Sequence, residues 1–136
     1  MKDLIELLHR DGNTLVVANG EVCAFQGRGI SDLYHLLRDD AGFLQGAFVA
    51  DKVVGKGAAA LMVLGGVSRL HAGLISEPAI PLLRTSQILV SYDKKVPQIQ
   101  NRTKTGICSV EALCRNAATA GECLPLIEEF MNSTRQ

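Results

Sequence analysis

Two glycine-bracketed cations, Gly27-Arg28-Gly29 and Gly55-Lys56-Gly57, are the residues best suited to chemistry. Glycine lets backbone N–H groups approach a ligand closely, and the cation between the glycines supplies charge opposite to an anion. Each string stands where a helix is expected to begin, and unpaired N–H groups with the positive dipole end there favour a phosphate-like group. Ser31, Asp51, Lys52 and Ser76 fall at the matching ends of neighbouring elements, and Arg102 and Lys104 occupy a polar loop that could close over such a ligand. Neither string completes GxGxxG or GxxxxGK[ST], so the competing reading is that the glycines serve tight turns and the cations are solvated.

The elements that must position these residues follow from pattern. Leu4, Ile5, Leu7 and Leu8 recur with helical spacing until Asp11-Gly12-Asn13 stops the run. The β-rich stretches 14–19 and 21–26 meet at Asn19-Gly20, a dipeptide ready for positive φ and hence for a hairpin turn. A helix capped by Ser31 follows, with Leu33, Leu36 and Leu37 on one stripe. After it the chain alternates: a strand over 46–51, an almost uncharged helix over 55–66, a strand over 69–76, a helix over 77–86 and a strand over 88–93. A polar loop then leads to a helix from Ser109 and a last helix from near Gly121.

This order predicts a three-layer α/β/α sandwich, an α/β fold whose five-stranded mixed sheet begins with a β-hairpin. Right-handed crossovers place the helices starting near Ser31 and Gly55 on one rim, at the C-terminal ends of the parallel strands, where open α/β sheets bind ligands.

Bulk properties narrow the class. At 136 residues the chain reads as one domain with room for a core that needs neither disulfide nor metal. With 14 basic against 14 acidic residues there is no general electrostatic case for nucleic acid or an anionic membrane. No apolar run spans a bilayer and no signal-like segment opens the chain, so a cytoplasmic location is the expectation. Cys23, Cys108, Cys114 and Cys123 lack the CxxC spacing of zinc sites and read as reduced packing residues, with Cys108 placed at a helix start where a thiol can gain reactivity. The three histidines, His9, His35 and His71, fall on elements that do not converge, so no metal and no cofactor is expected.

The strings DKVVGKGAAALMVLGGV, AGLISEPA, LVSYDKKVP and NRTKTGICSVEAL span most of the chain. In them it resembles an uncharacterised prokaryotic domain-of-unknown-function family, itself similar in fold to the cytidine deaminases. Zinc deaminases carry HxE on one helix start and PCxxC on another. Here those places hold GRGIS and DKVVGKG. The resemblance therefore implies a cytidine-deaminase-like fold and a pocket without metal-activated water. A small phosphate-bearing ligand, a nucleotide or an ADP-ribose-like molecule, is the expected partner. Two alternatives stay open: an enzyme acting on such a ligand through Asp51, a lysine or Cys108, and a homodimeric interaction module whose pocket is vestigial.

Overall fold

The computed structural model describes residues 1–27, 30–100, 106 and 108–133. Its elements run α1 (Lys2–Leu8), β1 (Leu15–Asn19), β2 (Glu21–Phe25), α2 (Ser31–Asp39), α3 (Ala41–Leu44), β3 (Phe48–Val54), α4 (Lys56–Gly65), β4 (Arg69–Ser76), α5 (Ala79–Thr85), β5 (Leu89–Val96), α6 (Ser109–Cys114) and α7 (Ala120–Ser133). The five strands form one mixed sheet in the order β2-β1-β3-β4-β5. β1 is antiparallel to both β2 and β3, whereas β3, β4 and β5 are mutually parallel. The hairpin turns at Gly20, whose φ of 82° costs a residue without a Cβ little.

The two faces of the sheet are covered unequally. On one side, among the described residues, α1 alone packs over β1 and β3, setting Leu4 and Leu8 against Val16 and Ala50. On the other, α2, α4, α5 and α7 join the sheet around a large core that includes Leu33, Leu61, Met62, Leu70, Ile75, Leu83 and Ile127. Each fully buried aliphatic side chain of this kind contributes about 1.5–3 kcal/mol. α4 lies at the centre of that layer, in contact with α2, α5, α6 and α7, which is why its sequence is apolar on every side. Gly66 ends it in the left-handed region, with φ of 79°. No helix among the described residues is long and apolar enough to cross a membrane.

Two strands outrun their sequence-based limits. β3 continues past Asp51 to Val54 and β5 past Asp93 to Val96, because an irregularity hides the continuation from a period-two pattern. Pairing between β3 and β4 passes from Asp51↔Ala72 to Val53↔Leu74, and between β4 and β5 from Ala72↔Tyr92 to Leu74↔Lys94. Val49 and Val54 of β3, like Ala72 and Ile75 of β4, feed the same core at odd separations that a regular strand cannot give. The pairing and the in–out alternation both break along the row Lys52, Gly73, Asp93, a local kink in the ladder with its register unchanged. A Cβ at Gly73 would stand 2.8 Å from the Lys52 carbonyl oxygen, so the close backbone approach at the kink requires glycine.

Candidate functional site

A cleft opens where β3 runs past β1. β1 pairs with β3 only as far as Asp51, the Lys52 N–H still reaches the Thr14 carbonyl at 3.1 Å, and beyond that β3 leaves its neighbour. The resulting space, about 300 Å³, lies at the C-terminal end of β3 between the approach to α2 and the starts of α4 and α6. Thr14, Gly27, Asp51, Lys52, Gly55 and Glu111 supply its polar wall, while Ile30, Val53, Ala58, Ile99 and Val110 make it mostly apolar. This is the lower end of the size range of small-molecule pockets.

Asp51 is the buried carboxyl of the cleft, 7% exposed. It shares a face with Val49 and so points toward the helix layer. One oxygen accepts the Val53 N–H at 3.3 Å, a local bond two residues along the strand. Burial in apolar surroundings pushes its pKa up to about 8, and the two local backbone donors offset only part of that rise. A carboxyl held largely protonated near neutrality presents a donor and an acceptor side by side.

Glu111 is the residue that sequence reasoning did not single out. It sits in the first turn of α6, is 3% exposed, and reaches across to α4. Its Oε1 accepts the Lys56 N–H at 2.8 Å and the Ser76 hydroxyl at 3.2 Å, and its Oε2 accepts the Ile99 N–H at 2.6 Å. The N-terminus of α4 thus already holds an anion, donated by the protein itself. Gly55 leaves room for it, since a Cβ there would lie 3.1 Å from Glu111 Oε1 and from Ile99 Cγ1. Gly57 does the same for α6 at large: a Cβ would run into the Val110 side chain. The Lys56 ammonium turns the other way and donates to the carbonyls of Arg115 and Ala117, just past the end of α6. Every residue of Gly55-Lys56-Gly57 is therefore used in docking α6 onto α4.

The sequence-predicted site residues separate accordingly. Gly27, Asp51, Lys52, Gly55 and Gly57 line the cleft. Lys56 does not, because its charge is spent on α6, and Ser76, fully buried, serves Glu111. Ser31 opens α2 but does not line the cleft; the Gly27 N–H, near that helix start, is bound at 2.8 Å by Asp32. The expected pair of vacant helix N-termini is thus corrected at α4: a carboxylate from a helix distant in sequence caps it. Arg28, Gly29, Arg102 and Lys104 lie outside the described residues. Cys108 borders the cleft as the N-cap of α6, and the other cysteines are free thiols, with burial pushing Cys114 up to about 12 and Cys123 upward as well. Among the described residues no three His, Cys, Asp or Glu side chains gather so as to hold a metal ion.

Residues 3–131 match the family model TM1506, a domain of unknown function (DUF1893). The chain belongs to the DUF1893 family. The crystal structure of a DUF1893 family protein, TM1506 from Thermotoga maritima, at 2.70 Å resolution is similar to it with a TM-score of 0.86 at 23% identity. That similarity covers 94% of this chain and 87% of the Thermotoga chain, and at this identity it shows a shared fold. No curated protein matches the chain.

Proposed function

We propose that this DUF1893 protein is a zinc-independent, cytidine-deaminase-like binding domain whose cleft takes a nucleotide-like ligand for sensing or regulation. The carrying observation is Asp51, a carboxyl buried at the C-terminal rim of the sheet in an otherwise apolar cleft and raised to about 8. Burial of a carboxyl without a countercharge costs stability, and carboxyls perturbed in this way cluster at functional sites. Its paired donor and acceptor suit the edge of a heterocyclic base, and the walls formed by Ile30, Ile99 and Val110 suit its faces. The strand order β2-β1-β3-β4-β5 supports the deaminase-like reading.

Glu111 refines the phosphate side of the proposal. With that carboxylate on the α4 N-terminus, the phosphates lie at the mouth of the cleft, where Lys52 stands half-buried, and the base lies inward against Asp51. The raised carboxyl also favours a second reading, an enzyme that transfers or hydrolyses such a ligand with Asp51 as proton donor or acceptor.

A thermal-shift panel of nucleosides, nucleotides, ADP-ribose and NAD tests binding. A ligand present at 100 times its dissociation constant stabilises by about 2.7 kcal/mol. Asp51→Asn should weaken nucleosides and nucleotides alike, while Lys52→Ala should weaken only the phosphorylated forms. Absence of any shift, or shifts unchanged in both variants, would remove the proposal. Turnover of a bound nucleotide that stops in Asp51→Asn would select the enzymatic reading.

A further inference from the structure

On the sheet face left open by α1, a Ser, a His and an Asp lie in contact. β4 and β5 run parallel with His71 directly opposite Ser91, and Asp93 is two residues further along β5 on the same side. The Ser91 hydroxyl lies 2.7 Å from His71 Nδ1, and His71 Nε2 lies 3.2 Å from Asp93 Oδ1. His71 is 8% exposed, whereas Ser91 is exposed and the Asp93 side chain is 61% exposed. The buried Nε2 makes no well-aligned hydrogen bond among the described residues, and Asp93 Oδ1 stands 3.2 Å from it.

We propose that Ser91 is a nucleophile activated by His71, with Asp93 as the positioning residue, and that this second site cleaves small esters with an apolar acyl group. A nucleophile within hydrogen-bond reach of a base, itself oriented by a carboxylate, is the arrangement that defines such sites by geometry rather than by sequence order. The tautomer follows from the contacts. Asp93 favours the proton on Nε2, which leaves the Nδ1 lone pair to accept from the Ser91 hydroxyl. Exchange of the two ring nitrogens relative to the familiar arrangement leaves the proton transfer chemically equivalent.

A cleft of about 360 Å³ beside Ser91 gives the acyl group a place. Met1 and Leu89 offer apolar walls, and the Arg69 guanidinium is the side-chain cation among its described lining residues. In the reaction Ser91 Oγ bonds to the ester carbonyl carbon as its proton passes to His71 Nδ1, and Arg69 offsets the negative charge that develops on the carbonyl oxygen. The carbon–oxygen bond to the leaving group then breaks, and His71 returns the proton to give the free alcohol. Water attacks the acyl-serine with His71 again taking a proton, and that proton restores the Ser91 hydroxyl as the carboxylic acid departs. Ester and water become acid and alcohol, with no other reactant.

The test uses the full chain with a fluorophosphonate probe and a p-nitrophenyl ester. Intact mass and peptide mapping should show one adduct, on Ser91, lost in Ser91→Ala. His71→Gln should slow labelling about 100-fold or more, the usual share of a general base. Asp93→Asn should slow it while Asp93→Glu partly restores it, a rescue that a purely structural role would not produce. If His71→Gln does not fold, Ser91→Cys provides the second measurement, since a thiol paired with His71 should alkylate with iodoacetamide about 10-fold faster than free cysteine near neutral pH. No adduct on Ser91, labelling unchanged in a folded His71→Gln, or ordinary alkylation of the Ser91→Cys thiol would overturn the proposal.

Discussion

Removal of the Glu111 carboxylate should be among the most costly single changes in this protein. Glu111→Ala strands two buried amides, Lys56 N–H and Ile99 N–H, which now donate at 2.8 and 2.6 Å, together with the Ser76 hydroxyl at 3.2 Å. An unsatisfied buried amide costs about 1–3 kcal/mol, and the loss of an N-cap, already contained in the Lys56 share, about 0.5–2 kcal/mol. The hydroxyl can rotate toward another acceptor and adds little. Because Glu111 borders an open cleft, water can reach part of the vacated space, which pulls the total toward the lower half of the range. The expected loss is about 3–4 kcal/mol, or roughly 10 °C in Tm for a chain of this size. Glu111→Gln keeps one acceptor but sets its amide NH2 against one of the N–H donors, and should cost about 2 kcal/mol. Ser76→Ala should cost less than about 1 kcal/mol. Urea unfolding followed by circular dichroism gives the three values, and hydrogen exchange at the Lys56 and Ile99 amides localises the damage. A Glu111→Ala variant within about 1 kcal/mol of wild type would refute the assignment of this carboxylate as the cap of α4.

Two further perturbations follow from the same geometry. The Asp51 carboxyl is raised from 3.8 unfolded to about 8 folded, so between these values the folded state holds a proton that the unfolded chain has released. The contribution of Asp51 is therefore greatest below about pH 4, declines at up to about 1.4 kcal/mol per pH unit as pH rises, and levels off above about 8. Asp51→Asn should flatten that slope, gaining on wild type as pH rises from 5 to 8 in parallel urea titrations; equal pH dependence in both proteins would show that the carboxyl is not buried as described. Gly57→Ala should lose about 1–3 kcal/mol despite alanine's better helix propensity, because the new methyl meets Val110. A double-mutant cycle with Val110→Ala checks this, and coupling near zero would mean that α6 does not press on α4 at that point.

Much of the architecture was legible because local signals agreed with one another. Asn19-Gly20 marked the hairpin, the helical stripe of Leu33 and Leu36 marked α2, and the uncharged run after Gly55 marked a buried central helix. The ends of β3 and β5 were not legible. The ladder kinks locally at Lys52, Gly73 and Asp93, and a reader of alternation sees the broken period as a strand end. α3 was also missed, four residues in a stretch whose glycines signal only a turn. Within the site, placement of Gly27, Asp51 and Lys52 at one rim follows from strand order alone, and these residues do line the cleft.

What Gly55-Lys56-Gly57 does could be decided only in three dimensions. The sequence determined that a helix begins there with bare backbone and an adjacent cation, features that suit any nearby anion. It did not determine which anion arrives, because Glu111 lies 55 residues from Lys56 and reaches it only when α6 folds back across α4. The same holds for Asp51, whose burial depends on walls from Ile30, Ile99 and Val110, and for Ser91, His71 and Asp93, brought together by parallel strand register. Local conformation is fixed by neighbours in the chain, whereas the partner of a charge is fixed by whichever distant element covers it. For that reason the sequence located the rim, and the tertiary structure decided that a carboxylate of the protein's own occupies half of it.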